Sequence, residues 1–198
     1  FYLPIEYFSL LAAVLFFLAG REWGRFASSD SGLFFPISYT IVLMVSYYFA
    51  PLRSVLQGNI DPLIWSVLLA GIVWWVLALV MIMRYPGCET WWRNRPWLLW
   101  LFGLSTLLPF FWSLLLLRGY HFQSDTTVGS WALLFVMSLV WVADTGAYFT
   151  GRALGSRKLL PAVSPNKTIE GLFGGVGAAT LLAVVVTIKN HTEMQQSV

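Results

Sequence analysis

The chain has 198 residues, of which 58% are hydrophobic and 11% charged, with a net charge of +3 and a mean hydropathy of +0.72. So few charges cannot cover the surface of a soluble domain of this size, which points to an integral membrane protein. The basic residues are spread through short loops rather than gathered on one solvated face, which excludes a nucleic-acid binder. A single cysteine, Cys88, excludes an internal disulfide.

Six apolar runs are long enough to be read as spanning helices: about Leu3–Ala19, Leu33–Ala50, Leu63–Met83, Trp97–Leu117, Trp131–Phe149 and Gly171–Ile188. The expected fold class is therefore all-α, a polytopic integral membrane protein with about six transmembrane helices and one transmembrane domain over residues 1–198. The first run carries Pro4 and Glu6, so its outer end is the least secure. Phe1–Gly20 has neither a basic leader nor a small-residue cleavage site and is not read as a signal peptide.

The loops after the first, third and fifth runs hold nine cations: Arg21, Arg25, Arg84, Arg93, Arg95, Arg152, Arg157, Lys158 and Lys167. The other side holds Arg53, Arg118 and Lys189. The positive-inside rule then places the richer set in the cytoplasm. Trp23, Tyr47, Tyr48, Trp91, Trp92, Trp97 and Trp131 fall near run boundaries and are read as an aromatic belt. Trp74 and Trp75 fall mid-run and are expected to pack or face lipid. Cys88–Trp97 interleaves tryptophan with Arg93 and Arg95, as an interfacial anchor would.

The chemistry-bearing residues gather in Asp144–Gly175. Asp144 lies inside the fifth apolar run, a turn or two from its expected cytoplasmic end. A charge there is costly and suggests a metal ligand or a group facing a polar cavity; the structural alternative is an acid that reaches water or caps a neighbouring helix. Tyr148 and Gly151 follow on the same helical face. Arg152–Lys167 carries four cations and no acid, which suits topology and anionic headgroups or, more sharply, a landing place for phosphates. Gly151-Arg-Ala-Leu-Gly155-Ser-Arg-Lys158 is not a P-loop, because its spacing fails and no Lys-Ser/Thr pair follows the second glycine.

Ser164 before Pro165 reads as an N-cap with proline at the first helical position. The helix begun there would aim its free N–H groups at the cytoplasmic surface, with Lys167 and Thr168 in its first turn and Glu170 on the face of Lys167. An ordinary capped helix with a surface ion pair is the competing reading. Gly171, Gly174, Gly175, Ala178 and Ala179 repeat small residues at four-residue spacing, which allows close packing of another helix.

Trp141-Val-Ala-Asp144-Thr-Gly-Ala-Tyr148, Gly151-Arg-Ala-Leu-Gly155 and Ser164-Pro-Asn-Lys167-Thr-Ile-Glu170-Gly171 together resemble the central region of phosphatidate cytidylyltransferases, also called CDP-diacylglycerol synthases. Arg21-Glu22-Trp23-Gly24, Tyr85-Pro86-Gly87 and Pro109-Phe-Phe-Trp112 are similar to upstream pieces of that family, so the likeness covers essentially the whole chain. The resemblance implies the reaction of CTP with phosphatidate to give CDP-diacylglycerol and diphosphate, with Mg2+, at the cytoplasmic face of the inner (plasma) membrane. It implies Asp144 and Lys167 as catalytic residues, Asp144 also as a metal ligand. Arg157, Lys158, Ser164, Pro165, Thr168, Glu170 and Gly171 would be substrate-binding.

The partners expected are CTP, phosphatidate and membrane lipids, with a homodimer among the possible assemblies and no nucleic acid. Members of the family continue into a late aspartate-rich signature, and further upstream, beyond the bounds Phe1 and Val198. The chain is thus expected to be the N-terminal and central part of a longer fold, incomplete or inactive by itself. The rival readings are a non-catalytic membrane protein, a transporter-like helical bundle and a CTP-using lipid kinase. A transporter would show more polar groups near mid-bilayer and paired broken helices, and neither is visible in the sequence.

Overall fold

The computed structural model describes residues 3–27, 32–58 and 60–196, with side chains as far as Lys189. The polar stretch 190–198 therefore lies outside the described side chains. The elements in order are α1 (Ile5–Ala27), α2 (Phe34–Phe49), α3 (Leu52–Leu56), α4 (Pro62–Met83), α5 (Glu89–Trp92), α6 (Pro96–Gly119), α7 (Val128–Leu154), β1 (Lys158–Leu160), β2 (Ser164–Thr168) and α8 (Ile169–Gln196). They form two compact units, residues 1–133 and residues 134–198.

All six apolar runs are helical, and the protein is an all-α polytopic membrane protein. Among the described residues, four helices are both long and apolar enough to cross a bilayer: α4, α6, α7 and α8 over Ile169–Lys189. The helix α2 is apolar but has only 16 residues. The expected first run is extended: α1 continues to Ala27, so Arg21 and Arg25 are helical rather than in a loop. Arg25 pairs there with Glu22 one turn back, at 2.8 Å.

In the first unit, helix starts follow local chemistry. Asp61 caps α4, its Oδ1 accepting from the Leu63 N–H at 2.8 Å, with Pro62 at the first helical position. Pro109, inside α6, cannot donate to the helix ladder, and its ring protrudes. Gly71 of α4 receives it: a Cβ on Gly71 would come within 2.7 Å of the Pro109 ring.

The core of this unit is aromatic. Tyr39, Trp112, Ile5, Ile64 and Leu115 are fully buried, and Phe16 meets Phe111 edge-on at 5.9 Å. Lipid tails compete with apolar side chains, so polar contacts and close packing specify which helices pair. Indole and phenol donors supply them. Trp23 Nε1–H donates to the Leu99 carbonyl (2.8 Å), Tyr39 O–H to the Trp100 carbonyl (2.7 Å), Trp100 Nε1–H to Ser38 Oγ (2.8 Å) and Trp74 Nε1–H to Thr106 Oγ1 (2.9 Å). Trp74 thus packs, also stacking on Phe102, while Trp75 is exposed.

Two residues expected in the aromatic belt are interior contacts instead. Trp23 ties α1 to α6, and Tyr47 stacks on Trp112 with ring centres 5.9 Å apart. Arg118, counted from sequence as a loop cation, is buried. It donates to the Leu3 and Thr126 carbonyls and lies over the Phe122 ring.

Gly103 is one of the close approaches in this unit. A Cβ there would meet the Tyr39 hydroxyl, and would lie 2.6 Å from the Trp23 indole. Gly103→Ala is expected to cost about 1–3 kcal/mol through overpacking, read as a lower melting temperature of the purified protein in detergent. An unchanged melting temperature would contradict this packing.

Candidate functional site

The second unit is a helical hairpin closed by a small β-ribbon. In α7, the small residues Ala143, Gly146, Ala147 and Gly151 line a face that the glycines of α8 approach directly. A Cβ on Gly171 would lie 2.9 Å from the Ala147 carbonyl oxygen and 3.3 Å from Gly151 Cα. One on Gly175 would lie 2.8 Å from the Ala143 carbonyl oxygen, and one on Gly146 would lie 2.6 Å from Ala178 Cβ. The two helices therefore run antiparallel in backbone contact, as the small-residue spacing anticipates.

The α8 start differs from the sequence expectation. Ser164 is not an N-cap, and Pro165, Asn166 and Lys167 are not helical. Ser164–Thr168 is strand β2, paired antiparallel with β1 in the register Lys158↔Thr168 and Leu160↔Ser164. The cap is Thr168, four residues later: its Oγ1 accepts from the Gly171 N–H at 3.1 Å, the bond an N-cap makes to the third helical residue. Thr168 is also buried, and its hydroxyl would lie 3.1 Å from a Cβ on Gly151 and 2.9 Å from one on Gly155. The alternative start lost because strand pairing satisfies the backbone of 164–168, which a helix begun at Pro165 would have to give up.

Lys167 and Glu170 consequently do not pair. Lys167 is exposed on β2. Glu170 is bound by Ser156 and Arg157, with Arg157 Nε 3.3 Å from Oε1. Arg152 donates to the Tyr148 hydroxyl at 3.1 Å. The side chains of Lys158 and Lys167 have no hydrogen-bond partner among the described residues, and both are exposed. Ser164 is half-buried, Pro165 exposed and Gly171 buried against α7. The ribbon thus gathers Arg157, Lys158 and Lys167 at one end of the helical hairpin, with Arg152 in the last turn of α7.

Asp144 sits deeper than expected. The helix α7 does not end near Phe149 but continues to Leu154, nearly three turns past Asp144 at about 3.6 residues per turn. Its neighbour Ala143 is level with Gly175 of α8, about 9 Å along the axis from Ile169 at 1.5 Å per residue. Asp144 is exposed on the flank of the α7–α8 contact, and its carboxylate makes no hydrogen bond to a described residue. Asp144 and the cationic ribbon therefore belong to one unit but lie on different levels of it.

The cytidylyltransferase family model matches residues 1–196. The chain belongs to the cytidylyltransferase family. Among its relatives, the phosphatidate cytidylyltransferase of Haemophilus influenzae is 37% identical over 190 residues, covering 94% of this chain and 66% of the relative. That of Pseudomonas aeruginosa is 37% identical over 179 residues, covering 89% of this chain and 59% of the relative. That of Bacillus subtilis is 47% identical over 53 residues, 27% of this chain and 20% of the relative. The chain thus spans less than two thirds of the length of the first two. No solved structure matches it.

Membership of the cytidylyltransferase family raises the question of Mg2+. Among the described residues, no three His, Cys, Asp or Glu side chains cluster as a metal site. Among the second-unit residues whose side chains are described, the acids are Asp144 and Glu170, and the carboxylate of Glu170 is taken up by Ser156 and Arg157. Mg2+ commonly takes one or two carboxylates and fills its other positions with water and substrate phosphates. Of the two described carboxylates of this unit, that of Asp144 makes no hydrogen bond to a described residue.

Proposed function

We propose that this chain contributes to CTP:phosphatidate cytidylyl transfer, forming CDP-diacylglycerol and diphosphate in phospholipid biosynthesis, at the cytoplasmic face of the inner (plasma) membrane. The observation that carries the reading is the cationic ribbon at the end of α7 and α8. It holds three exposed cations on a hairpin fixed by backbone-level packing, in a chain whose relatives bear the name phosphatidate cytidylyltransferase.

The chemistry joins two phosphorylated molecules. A phosphate oxygen of phosphatidate attacks the α-phosphorus of CTP; the new P–O bond forms as the bond to the β-phosphate breaks, and diphosphate leaves. Both reactants are anions, so the site must offset their mutual repulsion and the charge that builds on the leaving group. Lys167 and Lys158 are compact charges free to bind phosphate oxygens, and the outward edge of Arg157 offers further donors. Phosphatidate keeps its tails in lipid and brings its headgroup to the interface, where the ribbon and the α7 end would meet it. Mg2+, when bound, supplies charge neutralisation at the phosphates, and Asp144 is the residue here that would hold it.

Lys167→Gln tests the reading. It is expected to raise KM for CTP about tenfold, the equivalent of one charge-assisted hydrogen bond, with a smaller change in kcat. The measurement is steady-state cytidylyl transfer in the complete reading frame from which this chain comes. A KM unchanged from wild type would remove Lys167 from nucleotide binding.

A further inference from the structure

The carboxylate of Glu170 receives four hydrogen bonds from one short turn of chain. Oε2 accepts from the backbone N–H groups of Ser156 and Arg157, both at 3.2 Å. Oε1 accepts from Ser156 Oγ at 2.9 Å and from Arg157 Nε at 3.3 Å. In the other direction, the Ile169 N–H donates to the Arg157 carbonyl at 2.9 Å. Residues 156–157 are thus tied to residues 169–170 by side chain and backbone together.

A lone surface ion pair contributes little, because two long side chains must be held in place against solvent. This contact differs in kind. Two backbone N–H groups and a hydroxyl converge on the same carboxylate, and such donors have few torsions left to lose. The Glu170 side chain is 19% exposed and that of Arg157 73% exposed. The acid is the shielded half, and the guanidinium is the half offered outward.

We propose that Glu170 is a positioning residue for phosphate recognition. It does not touch substrate. It clamps the Ser156–Arg157 turn onto the first turn of α8, so that the outer edge of Arg157 and the adjacent Lys158 are presented from a fixed backbone. The nature of the phosphate rests on the cytidylyl-transfer reading; the clamp itself does not.

The experiment uses Glu170→Gln, which keeps size and one acceptor oxygen but loses the charge and the second acceptor. It is run in the complete protein with two readouts. Trypsin cleavage after Arg157 and Lys158, mapped by mass, is expected to be about tenfold faster than in wild type, as for loss of one charge-assisted hydrogen bond. KM is expected to rise by a similar factor, with kcat moving less and Glu170→Asp recovering part of the loss. A rise in KM for CTP assigns the clamped turn to nucleotide phosphates; a rise in KM for phosphatidate assigns it to the lipid phosphate. Wild-type cleavage rates, or faster cleavage with both KM values unchanged, overturn the proposal. Should Glu170→Gln fail to fold, Ser156→Ala decides by the same two readouts, with smaller shifts in the same directions. Should wild type transfer no cytidylate, the functional reading fails, and cleavage alone then supports or overturns the clamp.

Discussion

Asp144→Asn is expected to lower cytidylyl transfer on the order of a hundredfold or more, while leaving the protein at least as stable as wild type. The two effects have opposite signs for one reason. Asp144 is exposed on a membrane-spanning helix and makes no hydrogen bond to a described residue. An ionised acid within a span costs up to about 2.5–3.5 kcal/mol at the centre on insertion scales, so neutralising it removes a penalty. If the carboxylate is instead held for function, the same change removes charge where phosphates and cations meet. A loss of one well-placed electrostatic group typically costs about 10²–10³ in rate. Rate and thermal melting of the purified variant check this together. A carboxylate kept for folding would give the reverse, lower melting with transfer retained.

The second large effect concerns the α7–α8 contact. Gly174→Leu is expected to abolish transfer and lower the melting temperature. A Cβ at Gly174 already meets the Thr150 side chain, and its Cγ2 would be 2.8 Å away. Leucine adds three more carbons to that clash, so the helices must separate. Overpacking of this kind costs about 1–3 kcal/mol, and it also moves the ribbon, whose second strand leads directly into α8. Gly177 supplies the control on the same helix: nothing lies within 4 Å of a Cβ there. Gly177→Leu is expected to keep both transfer and melting temperature, since the helix gains propensity and no atom is displaced. Equal losses at Gly174 and Gly177 would show that hydrophobic bulk anywhere on α8 is harmful, and the contact would lose its special place.

The sequence was most readable where one periodicity dominates. The apolar runs are helices because in hydrocarbon a backbone must satisfy its own hydrogen bonds. The small residues of α8 face another helix because only short side chains permit that approach. The ribbon was not readable. Strands of three and five residues show too few alternations to stand out, and Ser164-Pro165 carries the same start signal that does open α4 at Asp61-Pro62. Local preference was equal in the two places, and pairing with residues 158–160 decided between them. Thr168 is a residue type that caps helices, but Gly171 rather than Glu or Gln stands three residues on, so no capping box marks it. The partners of Glu170 were hidden for another reason. Ser156 and Arg157 lie 14 and 13 residues away, a separation that no helical or strand period relates. The end of α7 was misjudged because hydropathy falls at Thr150 and Arg152, whereas the helix is carried on by packing of Gly151 and Gly155 against Thr168.

The most direct test of the account follows CTP labelled at its α-phosphate into lipid, in membranes carrying the complete reading frame as wild type, Asp144→Asn and Lys167→Gln. The account predicts phosphatidate-dependent label in lipid from wild type, a near-complete loss in Asp144→Asn, and a loss in Lys167→Gln that rising CTP concentration relieves. Lipid left unlabelled by wild type, or labelled at the full rate by Asp144→Asn, would contradict it.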